Sequence, residues 1–199
     1  MTFDIQRQPM PRDDTLRLIS AINAMKNKAR NAAEQWELLD ERGHVPAEPS
    51  YAGLLQHAVG AQDLSRAVIR LTANFATSPH SKTRDGRTVL ARLATASTMS
   101  SHASGHFAET AETILALSRS PEQSRPYLEN SMVLDHATAR AYLRRTSESL
   151  RDAVKELDAH LDFHRYFSTP SRQERPAPAP PRGIPPTPPS PPAGPTGGR

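Results

Sequence analysis

An all-α fold is the class this sequence predicts, and three observations carry it. Apolar residues recur at alternating spacings of three and four over four long stretches, no segment alternates apolar and polar residues as a half-buried strand does, and β-branched clusters are few. The stretches are comparable in length and joined by short turns. They bury one another most simply as an elongated antiparallel four-helix bundle with coiled-coil-like seams. Two helical hairpins pairing across a dimer would satisfy the same stripes.

A flexible arm is expected over residues 1–12, then a first helix over 13–42. Leu18, Ile22, Met25, Ala29, Ala32, Trp36 and Leu39 make its seam, Asp13 and Asp14 favour its start, and Gly43 and Pro46 close it. Trp36, the single tryptophan, reads as a core anchor. A second helix over 50–77 carries Leu54, His57, Ala61, Leu64, Val68, Leu71 and Phe75, and Ser78-Pro79 ends it.

The third helix, over 85–119 with Asp85 as its cap, carries Leu93, Ala96, Ser100, Ala103, Phe107, Thr110 and Ile114. Between Ala91 and Gly105 almost every residue is Ala, Ser, Thr or Gly. Such residues bury little area but permit close helix approach, so this stretch is expected to be soft. "SPEQ" at Ser120–Gln123 reads as a capping box with proline at the first helical position, and Pro126 limits that segment to a short turn. The fourth helix, over 135–166 and capped by Asp135, carries Ala139, Leu143, Thr146, Leu150, Ala153, Leu157 and Leu161.

Twelve of the 19 prolines lie after Tyr166. A chain so composed lacks the amide donors for helix or sheet, so residues 168–199 are expected to form a disordered tail of polyproline II character. Within it Arg175, Pro178 and Pro181 match an R-x-x-P-x-x-P pattern, the kind of segment that docks in an aromatic-lined groove.

The absence of cysteine excludes disulfides, thiolate metal sites and cysteine nucleophiles. No apolar run suits a signal peptide or a membrane span, so a cytoplasmic location without membrane association is expected, leaderless export being the alternative. Net charge is +4, and the excess comes from residues 51–120 and from the tail. Lys82, Arg84, Arg87 and Arg92 cluster at a turn where phosphate could bind, although Asp85 interrupts them and no aromatic interleaves.

His102 and His106, four residues apart, share a helix face as metal ligands would, and so do His160 and His164. Counting from the turns puts residue 102 level with about residue 151, too far from His160 for one shared ion. His57 falls level with about residue 106, so His57, His102 and His106 are the metal candidates. No helix offers a carboxylate at matching depth, and solvated or partly buried histidines are the simpler reading. No nucleotide-binding loop, nucleophile elbow or zinc-protease motif occurs, so neither an enzyme nor a cofactor is expected. The expectation is a non-enzymatic interaction or adaptor protein that binds a protein partner and can form a homo-oligomer. A nucleic-acid accessory protein is the alternative.

Overall fold

The computed structural model describes residues 10–46 and 49–167, with side chains through Phe163. Four helices pack together: α1 (Arg12–Gln35), α2 (Tyr51–Thr77), α3 (Arg84–Leu117) and α4 (Arg125–Phe167). Two 3-10 turns, Pro79–Lys82 and Glu122–Ser124, lead into α3 and α4. Among the described residues there is no strand, and no helix is long and apolar enough to cross a membrane. The expected arm over residues 1–12 lies outside the described residues up to Pro9, as does the tail at 168–199.

Neighbouring helices run antiparallel. Along α2 and α3, Ser65 meets Ser101 and Thr72 meets Ser97; along α3 and α4, Asp85 meets His160 and Arg92 meets Ser149. Near the C-terminal end of α1, Arg140 of α4 donates from Nε to the carbonyl of Ala33 at 2.8 Å. A cation thus satisfies an orphan carbonyl at a helix end that has no basic residue of its own in its last turn.

The seams are the core. All seven expected residues of α3 are buried, and the stripe of α4 is buried from Ala139 to Leu157. Val68, Leu93, Leu143 and Leu150 are shut off from solvent, each burial contributing roughly 1.5–3 kcal/mol. A second, smaller apolar cluster joins Leu38 and Leu54 to Ala111, Ile114, Leu117 and Met132. The small residues of α3 are hydrogen-bonded as well as closely packed. Ser65 and Ser101 share a hydrogen bond of 3.0 Å between hydroxyls, and Thr72 and Ser97 one of 2.9 Å. Ser149 donates to the carbonyl of Arg92 at 2.8 Å. The buried Ser65 and Ser149 hydroxyls are thereby satisfied without a bulky neighbour.

Several helix ends depart from the sequence reading. The cap of α3 is Thr83, whose hydroxyl accepts from the amide of Gly86 at 3.0 Å, and not Asp85, which lies inside the helix. The 3-10 turn at Glu122–Ser124 follows Pro121 and has no side-chain cap, so the expected capping box does not form. α1 stops at Gln35, not at residue 42, and Trp36 adopts an extended conformation as its C-cap. The cause is Asp40, whose carboxylate accepts from the amides of Arg42 and His44 at 2.9 Å each, while Gly43 turns with φ 79°. Such a side chain offers the backbone a turn in place of helix. Leu38 is consequently buried and Leu39 exposed, the reverse of the expected seam.

The fourth helix starts at Arg125 instead of Asp135. Pro126 falls in its first turn, where a missing N–H costs nothing, so it opens the helix rather than interrupting the chain. Asp135 is no cap but a residue inside α4. The added turns lengthen the seam backwards through Met132 and His136, both buried. They also shift the register between α3 and α4: His102 lies level with Tyr142, its stacking partner, and not with residue 151.

Candidate functional site

Each helix contributes one ring to a junction at the level of Phe107. Trp36, at the end of α1, stacks on His57 of α2 with ring centroids 5.0 Å apart. Phe107 of α3 meets the indole edge-on at 5.2 Å, and His136 of α4 meets Phe107 at 5.3 Å and His57 at 5.9 Å. Gly60, one turn after His57, admits the indole: a Cβ there would stand 2.9 Å from its ring carbons. Trp36 is half-buried and packs against the core from beyond the end of α1, not from within the helical seam.

His136 is 3% exposed, and its Nε2 has no hydrogen-bond partner, nor has the buried Nδ1 of His57. Burial, then the neighbouring His57 and Arg140, push the His136 imidazole down to about 4 from an ordinary 6.5. Burial lowers His57 in the same direction. Both rings are neutral packing elements at pH 7.

The three candidate histidines do not converge on one ion. His57 belongs to this interior junction, as its predicted level near residue 106 allowed, but its ring is occupied by Trp36. His102 and His106 lie on the outer side of α3, where both stack on Tyr142 at 5.1 and 5.7 Å. His160 contacts Asp85 at 3.3 Å, 17 residues of α3 away from His102 and so roughly 25 Å along the axis. His102 and His160 are therefore too far apart to share an ion.

His106 meets carboxylates instead. Its Nδ1 is 2.9 Å from Glu109 Oε2 and 3.3 Å from Asp135 Oδ1, so a carboxylate at matching depth does exist, on α4. It comes to this level because α4 starts at Arg125.

The basic cluster is partly assembled. Arg84, Arg87 and Arg92 line one shallow depression on α3 with Thr88, Ala91 and Thr95, whereas Lys82 sits on the preceding 3-10 turn and does not line it. All four cations are exposed, and none of the three arginines pairs with a carboxylate among the described residues. On α4, Asp152 takes Arg151 and Lys155, each at 3.6 Å. Arg175, Pro178 and Pro181 lie outside the described residues.

One surface escaped the sequence reading. Beside its buried seam, about a third of a turn round the helix, α2 exposes Ala52, Leu55, Val59, Gln62, Arg66, Ile69, Ala73 and Ala76, spaced alternately by three and four. Leu55, Val59 and Ile69 are 43%, 47% and 46% exposed. α2 is thus apolar on two sides, with only Gln62 and Arg66 polar in the outer stripe. The same spacing test that found the inner seam finds this one when applied to the remaining residues.

No protein-family model, curated protein or solved structure matches the chain.

Proposed function

We propose that the chain is a non-enzymatic adaptor whose helical body pairs with a second copy of itself through the outer face of α2, leaving the proline-rich segment to recruit a protein partner. The observation that carries this reading is the second apolar stripe. A heptad-like row is what a helix needs to face another helix, and this one exposes Leu55 and Val59 on one side of a polar centre, Gln62 and Arg66, and Ile69 on the other.

The stripe favours a second copy because it reads the same in both directions. Position 52 matches 76, 55 matches 73, 59 matches 69 and 62 matches 66, all about residue 64. Two α2 helices laid antiparallel about a two-fold axis would set Val59 against Ile69 and Leu55 against Ala73. Such an interface is isologous and closed. The Asp63–Arg66 pair, 3.1 Å apart, lies near the axis, where its copy would complete an alternating cluster of two acids and two bases. Burying the exposed halves of three large side chains per chain contributes about 1 kcal/mol each before association costs, which suits a reversible dimer.

Sedimentation velocity tests this directly. The full chain is expected to show a concentration-dependent dimer, and Val59→Glu with Ile69→Glu to sediment as a folded monomer. A wild-type chain that stays monomeric at about 100 µM contradicts the reading. Recruitment by residues 168–199 is tested separately, by partner capture that is lost when the chain ends at Phe167 and when Arg175, Pro178 and Pro181 become alanine.

A nucleic-acid role is the second reading, favoured by Arg84, Arg87 and Arg92, which line one depression on α3 and pair with no carboxylate among the described residues. It requires binding that weakens steeply with salt and in the triple alanine variant.

A further inference from the structure

We propose that His106, Glu109 and Asp135 form a binding site for a divalent first-row metal ion of the zinc class. Among the described residues this is the one trio of histidine, aspartate and glutamate whose ligand atoms all lie within 4.8 Å of one another. The distances suit the chemistry. Ligands about 2.0–2.1 Å from a tetrahedral ion stand about 3.3 Å from one another. The Nδ1 of His106 is 3.3 Å from Asp135 Oδ1 and 2.9 Å from Glu109 Oε2.

The three groups are presented by ordinary helix geometry. His106 and Glu109 are three residues apart on α3 and so share a face. Asp135 comes from α4, and both it and His106 have partly buried side chains, 26% and 28% exposed. Tyr142 lies against the His106 ring, 5.7 Å away and 10° from parallel, and fixes the plane in which Nδ1 points. One imidazole nitrogen with two carboxylate oxygens suits zinc, cobalt or nickel better than calcium or magnesium, which take oxygen alone.

The same contacts would arise if a proton, not a metal, sat on Nδ1 between the two carboxylates. An ion entering the site displaces that proton, since the ligand is the neutral ring with a free lone pair. The fourth position goes to water. Because the ligands come from two helices, the ion would tie α3 to α4.

The experiment is a titration of the tag-free full chain with zinc by calorimetry, and with cobalt by its visible absorption. We expect one equivalent bound with a dissociation constant of about 1–10 µM and tetrahedral cobalt absorption. His106→Gln and Asp135→Asn should each weaken binding at least about tenfold while melting normally without metal. Glu109 is exposed, so Glu109→Gln supplies the test should either of those variants fail to fold. His160→Gln, which alters the other histidine–aspartate contact, should change nothing. The proposal is overturned by the absence of saturable binding at about 100 µM metal. It is equally overturned by binding that survives both His106→Gln and Asp135→Asn, or that disappears with His160→Gln.

Discussion

The indole of Trp36 lies flat on the imidazole of His57, with ring planes 8° from parallel and centroids 5.0 Å apart. This contact ties the end of α1 to α2, and Gly60 makes room for it. Replacing Gly60 by alanine gains about 1 kcal/mol of helix propensity. It also forces the indole off its partner, an overpacking cost of about 1–3 kcal/mol. A net loss of about 1 kcal/mol is expected in urea unfolding, with a shift in the emission of the single tryptophan.

The neutral histidines at the junction make stability depend on pH. Between about pH 6.5 and 4 an unfolded His136 binds a proton that the folded one refuses, so protons favour unfolding throughout that window. His57 acts in the same direction. Stability should be full above about pH 6.5 and fall as the pH drops towards 4, His136 accounting for up to roughly 3 kcal/mol. His136→Leu should flatten that slope in denaturant titrations run with a chelator present. An unchanged slope would show that other groups set it.

Two glycines of α3 should respond oppositely to alanine. A Cβ at Gly86 would overlap the carbonyl oxygen of His80, so the preceding turn must move, at a cost of about 2–3 kcal/mol. Gly105 faces open space, and alanine there should stabilise by about 0.5–1 kcal/mol. Thermal melts of the two variants should therefore bracket the wild type.

Removing the arginine that caps α1 should also be measurable. Arg140→Met keeps the aliphatic stem but leaves the Ala33 carbonyl without its charged donor. A charged hydrogen bond of this kind contributes about 1.5–3 kcal/mol. Hydrogen exchange should quicken in the last turn of α1 before it does elsewhere.

The helical seams were legible because burial imposes a period, and the residues from Leu93 to Ile114 carry that period without a break. The helix ends were not, because they depend on single polar contacts. The spacing selects Leu39, but the turn built on Asp40 buries Leu38 instead. Pro126 reads equally well as a stop or as a first-turn residue, and choosing the stop slid α4 by ten residues. That slip removed Asp135 from the level of His106 and left His136 out of the core. The outer stripe of α2 was hidden differently, since Gln62 and Arg66 interrupt it and the inner seam already accounts for the helix.

The central claim is that α2 pairs antiparallel with its copy about residue 64, and the cysteine-free chain allows it to be tested by cross-linking. Chains carrying Val59→Cys and chains carrying Ile69→Cys would be oxidised under mild conditions, separately and as an equimolar mixture. Antiparallel pairing sets position 59 opposite position 69, while the two copies of position 59 stand about 15 Å apart along the axis. A disulfide-linked dimer should form in the mixture and barely at all from either chain alone. Equal cross-linking of the separate chains, or none in the mixture, would contradict the account.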